Sequence, residues 1–173
     1  MKNCKLGWLF LLICILFWGC GKSPYIYYEE AEEYANKGYY IVAIEKYKKA
    51  INDFPENITF RKNLASLYYQ TEDYENCILE LENLLDIGPD NSQFAKDLRH
   101  AKIKMAESYE ENYKIDKALD VYNGLLEDEP ENSAILQKLI NLSKKLQNES
   151  RLMTYLMKVP PDSEMYRAAL SQI

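Results

Sequence analysis

A tripeptide of proline, an acidic residue and asparagine occurs three times in this chain, at Pro55–Asn57, Pro89–Asn91 and Pro130–Asn132. The first step is 34 residues and the second is 41. Proline has no N–H and restricts the residue before it, so it ends a helix. Asparagine is a strong N-cap, because its side chain accepts a hydrogen bond from an unpaired N–H of the helix that follows. Each triplet is therefore a helix stop followed by a helix start. Such punctuation at a near-constant interval confines the chain to tandem helical units.

Between the marks, apolar residues recur at helical spacing in two blocks separated by a short polar break. Pro24–Asn57 carries Tyr27, Ala31 and Tyr34, then Ala43, Tyr47 and Ala50. Ile58–Asn91 carries Leu64, Ala65 and Tyr68, then Cys77, Leu81 and Leu84. Arg99–Asn132 carries Met105, Ala106 and Tyr109, then Ala118, Tyr122 and Leu125. Each unit is predicted to be a helix–turn–helix. Small residues let the paired helices approach, and the large side chain of one fills the space over the small residue of the other.

These positions resemble the tetratricopeptide (TPR) repeat. Tyr27 stands in its Trp slot, Ala31, Ala65 and Ala106 in the small slot, and Tyr34, Tyr68 and Tyr109 in the Tyr slot. Ala43, Cys77 and Ala118 take the small slot of the second helix, Tyr47, Leu81 and Tyr122 the Phe slot, and Pro55, Pro89 and Pro130 the closing position. The departures are Arg61 and Lys102 in the Trp slot, and Glu72 and Tyr113 where Gly38 makes the first inner turn. The resemblance implies an all-α TPR solenoid over residues 25–158, with three clear repeats and a degenerate fourth, closed by a capping helix within 159–173. The fourth unit opens at Ser133 with Ile135, Leu136, Leu139, Ile140 and Leu142, and its second helix, around Ser150–Lys158, is cut by Pro160–Pro161. A last helix is expected near Asp162 as its cap, with Met165, Tyr166, Ala169 and Leu170 on one face.

The longer step can be located. From capping Asn to small residue is eight positions in the second unit (Asn57 to Ala65) and fifteen in the third (Asn91 to Ala106). Phe94, Leu98, Ala101, Met105 and Tyr109 keep helical phase through the insertion. The first helix of the third unit is thus expected to be the longest, extended by about 10.5 Å. Ser92–Leu98 is the least generic stretch of the chain.

The formal charge of −6 argues against nucleic-acid binding, which needs a basic footprint. All 27 acidic residues lie beyond residue 20, whereas Lys2 and Lys5 precede an uncharged run from Leu6 to Gly21. A basic start followed by an apolar stretch too short to span a bilayer comfortably reads as an export signal, residues 1–19. Its end, Phe17-Trp18-Gly19-Cys20, resembles a bacterial lipobox, which implies lipidation (palmitate) at Cys20; an uncleaved signal anchor is the alternative. Either would hold the chain to a membrane by its N-terminus. Residues 20–24 then form a tether whose four residues after Cys20 reach about 14 Å at most. Gly21 after the cysteine resembles lipoproteins sorted to the outer membrane, facing the periplasm. Only Cys77 remains beyond Cys20, so no disulfide within the domain is expected.

His100 is the single histidine, and no Gly-rich phosphate loop occurs, so neither an enzyme nor a small-molecule substrate or cofactor is expected. His100 shares a helix face with Glu107 and Glu111 but lies about 10 Å along the axis from Glu107, too far for shared metal ligation. A solvated acidic face is the reading adopted. Cys77 reads as a small core hydrophobe. Tyr27, Tyr34, Tyr40, Tyr47, Tyr68, Tyr74, Tyr109 and Tyr122 fall in packing slots. By the family's pattern, Tyr25, Tyr28 and Tyr69 face a concave partner-binding groove with Asn36, Lys62, Ser66, Gln70, Glu107, Glu111, Asn141, Lys144 and Lys145. Tyr28 stands where the first Lys of chaperone-tail-binding TPR domains would be, which disfavours a C-terminal carboxylate ligand. The resemblance implies a scaffold or assembly factor for another envelope protein. A subunit of outer-membrane β-barrel or type IV pilus assembly machinery, and a self-assembling structural lipoprotein, are the alternatives.

Overall fold

The computed structural model describes residues 24–88 and 91–170. The expected signal, Cys20 and the Pro89–Asp90 mark lie outside the described residues. Those residues form helices and no strand: α1 Pro24–Asn36, α2 Tyr40–Asp53, α3 Ile58–Gln70, α4 Tyr74–Ile87, α5 Asn91–Glu111, α6 Ile115–Asp128, α7 Ser133–Lys145, α8 Glu149–Leu156 and α9 Glu164–Leu170. They run as consecutive helix–turn–helix pairs, α1–α2, α3–α4, α5–α6 and α7–α8, with α9 following: an all-α fold of tetratricopeptide type. Two compact units divide between Phe60 and Arg61. The first holds α1, α2 and the opening turn of α3; the second holds the rest.

One backbone device makes every hairpin. Gly38, Glu72, Tyr113 and Gln147 have φ of +79°, +60°, +58° and +53°. Each donates its N–H three residues back, to the carbonyls of Ala35, Tyr69, Glu110 and Lys144. The next residue donates five back, from Tyr39, Asp73, Lys114 and Asn148 to Tyr34, Tyr68, Tyr109 and Ser143, at 2.8–3.0 Å. This is the Schellman closure, which satisfies carbonyls that a helix end leaves unpaired. Gln147 shows that the fourth unit keeps the turn that its residue identities hide.

The starts also follow the chemistry. Asn57 Oδ1 accepts from the Phe60 N–H and Asn132 Oδ1 from the Ile135 N–H, both at 3.1 Å. Asp73 and Asn148 cap α4 and α8 in the same way. The cap of α9 is Ser163, whose Oγ accepts from the Tyr166 N–H at 3.2 Å, and not the expected Asp162. Asp162 instead offers its carbonyl to Arg167. The side chain one residue nearer the helix has the reach to its first turn.

In the first unit, Ala31, Ala43 and Ala50 are fully buried and Tyr47 nearly so, its hydroxyl donating to Glu32. In the second, Ala106, Ala118, Leu139 and Ile140 lie in one cluster with Tyr122, whose hydroxyl donates to Glu110 at 2.7 Å. Burial, reinforced by that bond, pushes the Tyr122 hydroxyl well above its ordinary range. The fourth unit exchanges volumes: Ile140 stands in the small slot and Ser143 in the Tyr slot, both fully buried. The Ser143 hydroxyl donates to the Leu139 carbonyl at 2.8 Å, so nothing polar is stranded there. Met165 and Tyr166 of α9 pack on this cluster, as a capping helix must, but Leu170 is exposed, contrary to expectation. The core that α9 covers ends a turn before it. The Ala169 side chain lies outside the description.

The unusual Trp slots are paired. Lys46 sits 5.7 Å from the Tyr27 ring centre and also bonds Glu30. In the next unit Arg61 meets Glu80 at 2.8 Å, with both side chains largely buried. A cation over a ring has been replaced by an ion pair at the same register. Lys102 points back to Glu82, at 4.0 Å. The expected long helix is α5, with 21 residues against 13 in α3.

Left-handed backbone costs a non-glycine residue about 1–2 kcal/mol. Glu72→Gly and Gln147→Gly should therefore each stabilise the protein by about 0.5–1 kcal/mol, and Gly38→Ala should destabilise it by about 1 kcal/mol. Urea midpoints at unchanged slope read both effects; lower midpoints for the two glycine variants would show that those side chains outweigh the strain.

Candidate functional site

The groove residues fall into the two units and are placed unit by unit. In the first, the Tyr28 ring stacks on Phe60 with centres 4.8 Å apart and meets Tyr47 edge-on, so it is half-buried packing as much as surface. Tyr25 touches Phe60 edge-on and is 57% exposed. Asn36 is exposed at the end of α1.

In the second unit, three of the expected residues converge. Lys62, Ser66 and Tyr69 recur at helical spacing along α3, and Phe94, Asp97 and His100 do so along α5. These two stripes form the walls of a pocket of about 330 Å³ floored by Ala65, Cys77 and Leu81. Tyr69 and His100 stack across it, with ring centres 5.7 Å apart and planes 28° apart. Tyr69 also meets Tyr74 edge-on. The only histidine, read from spacing as part of a solvated acidic face, is thus a wall of this pocket.

The remaining expected residues lie elsewhere. Gln70 and Glu111 are exposed, and Glu107 pairs with Lys104 at 2.8 Å. Asn141 accepts from Gln137 at 2.9 Å. Lys144 reaches the Ala168 carbonyl at 3.4 Å, and Lys145 lies 5.5 Å over the Tyr113 ring. Lys144 thus reaches from α7 to α9, and Lys145 from α7 to the α5–α6 turn.

Phe94 and Asp97 were not marked as site residues by sequence, yet both come from the seven-residue insertion. The signal was partial: Phe94, Asp97 and His100 lie three apart along α5, a helical stripe opposite Lys62, Ser66 and Tyr69. Gly88 seats Phe94. A Cβ there would lie 2.7 Å from the Leu84 carbonyl oxygen and 3.0 Å from the Phe94 ring, although the φ of −82° suits any residue.

Cys77 is 2% exposed, and burial, with Asp97 and Asp73 adding to it, pushes its thiol from an ordinary value near 9 up to about 11. A neutral thiol is a poor nucleophile. Among the described residues, no three His, Cys, Asp or Glu side chains group as metal ligands, and no helix is long and apolar enough to cross a membrane.

With this geometry in hand, similarity to known proteins is limited. No protein-family model matches the chain. It is 27% identical over 127 residues to the heat shock protein sti1 homolog of Schizosaccharomyces pombe, covering 71% of this chain and 21% of that protein. It is 26% identical over 133 residues to tetratricopeptide repeat protein 21B of Xenopus laevis, covering 77% of this chain and 10% of that protein. The chain thus spans about a fifth and about a tenth of the length of these curated relatives. Among solved structures, it is similar to the first TPR of Spaghetti (RPAP3) bound to the HSP90 peptide SRMEEVD, at 21% identity and a TM-score of 0.44, covering 73% of this chain and 97% of that one. A tetratricopeptide repeat protein from Parabacteroides merdae gives 22% and 0.44, covering 87% and 59%.

Two outcomes follow from this packing. Gly88→Ala should cost about 1–3 kcal/mol, because the clash is with backbone, and should move the Phe94 ring resonances; an unchanged midpoint would show that the α4 end yields freely. The Cys77 thiol favours the folded state below pH 9 and loses that contribution as pH rises towards about 11. Alkylation of the Cys77 peptide, followed by mass spectrometry, should be far slower in buffer than in urea at pH 8.

Proposed function

We propose that this protein is an exported bacterial envelope lipoprotein, lipidated at Cys20, that acts as a protein-interaction scaffold or assembly factor close to the membrane. The observation that carries the docking half of the reading is the pocket between α3 and α5. It is concave and apolar at its floor, has a few polar groups at its lip, and is built on helices rather than loops. Helices hold such side chains in fixed geometry, as recognition requires. The anchoring half is supported by the residues themselves: two lysines, an apolar run and Gly19-Cys20 a few residues before the first helix. The outer membrane, facing the periplasm, is the proposed address. Within the proposed groove, Lys62, Ser66 and Tyr69 are assigned to the partner.

Both halves can be tested separately. Cys20→Ser should release the protein from membranes or leave it unprocessed; normal processing and membrane retention would sink the lipoprotein reading. For docking, a photo-crosslinker at Ser66 in intact cells should capture a protein partner. The paired surface change Lys62→Glu with His100→Glu should abolish that capture, because both side chains line the pocket and are exposed. The same crosslinker at Lys114, on a hairpin turn, should not reproduce the product. Equal capture from both positions, or capture that survives the paired change, would remove the groove from the proposal.

A further inference from the structure

The walls of the pocket say more than that a partner docks there. Its volume, about 330 Å³, suits one large side chain and no folded element. Three of its walls are rings: Tyr69 and His100, stacked, and Phe94, held against the backbone at Gly88. Rings set this way favour another ring, through offset or edge-on contact.

The polar groups narrow the choice. Asp97 is half-buried on the α5 wall, and its Oδ1 accepts from the Gln93 amide at 2.8 Å, which holds the carboxylate in place. Any occupant that covers Asp97 strips water from that carboxylate. A leucine or phenylalanine would return nothing for the water lost from Oδ2, and an acceptor atom left unpaired is costly. A phenol O–H or an indole N–H restores the bond. A lysine or arginine could also donate, but its charge would be buried over an apolar floor with one acid in reach and the Lys62 ammonium on the same lip. A carboxylate would face Asp97. A neutral ring with one donor satisfies every wall.

From these walls we infer that the pocket seats a single tyrosine or tryptophan side chain from an extended segment of the partner, with its O–H or N–H donating to Asp97. The inference rests on the docking reading above. It also assigns the insertion a role: the two turns added to α5 supply both Phe94, which closes the pocket, and Asp97, which selects the donor. Phe94 and Asp97 are specificity-determining residues on this account.

The test uses the full-length protein in lipid nanodiscs, isotope-labelled for NMR. It is titrated in turn with the N-acetyl amides of tryptophan, tyrosine, phenylalanine, leucine and lysine. Tryptophan and tyrosine amides should give saturable shifts at Tyr69, Cys77, Phe94 and His100, with Kd about three- to tenfold lower than phenylalanine amide, the span of one hydrogen bond. Asp97→Ala should erase that preference while leaving phenylalanine amide binding at the same residues. Folding is read independently from the unchanged amide spectrum outside the pocket. Equal affinity for phenylalanine and tryptophan amides, tighter binding of lysine amide, or shifts that never saturate would each overturn the inference. If the Ser66 crosslink to a protein persists while no amide saturates, the docking reading stands and the side-chain assignment falls. If amides bind with the stated preference but no Ser66 crosslink forms, the assignment holds and the protein-partner reading falls.

Discussion

The structure depends on one local constraint: each helix pair must reverse direction within three residues, and only a left-handed residue allows it. There the N–H groups of that residue and the next fold back onto the preceding helix, so the turn is closed by local backbone bonds alone. Three of the four positions carry a residue that resists this backbone. Packing between the paired helices offsets the strain, which is why the alanines at the crossing points are buried to the last atom. The fourth pair makes the point by exchange. With Ile140 in the small slot and Ser143 in the large one, the summed volume is roughly conserved and the turn is unaltered.

Much of this was legible from the residues. Pro-acid-Asn punctuation, the alanine and tyrosine registers and the length of α5 follow from chemistry that acts within a few residues. The exchange at Ile140 and Ser143 was not, because a slot-by-slot comparison scores each position alone while packing is judged on pairs. The α9 cap was misplaced by one residue because Asp and Ser are both good caps, and only reach decides between them. Leu170 looked buried because a helical stripe shows which residues share a face and says nothing about where the neighbouring core stops.

The pocket illustrates a second limit. Lys62, Ser66 and Tyr69 were found because they belong to the repeated register, whereas Phe94 and Asp97 fall in an insertion with no counterpart in the other repeats. His100 was weighed against residues on its own helix, and its real neighbour, Tyr69, is 31 positions away. Sequence spacing sees along a helix; it does not see across to the next one. The largely buried ion pair of Arg61 and Glu80 hides for the same reason, since each residue's partner lies on the other helix of the pair. Such a pair is costly to break from one side, so the two positions can change only together.

The insertion in α5 has a consequence for how this protein can vary. Seven residues at 100° each turn a helix by 700°, about 20° short of two full turns. Everything after the insertion therefore keeps the face it had, and Ala101, Ala106 and Tyr109 still meet their partners. An insertion of five would rotate those residues by about 140°, and one of nine by about 180°, turning the core stripe to water. Length changes at this locus are filtered to near-whole turns, four, seven or eleven residues, while the composition of the added segment is left open. A helix under that rule can acquire a new wall for a pocket while the core register beyond it is kept, provided a neighbour such as Gly88 leaves room for it.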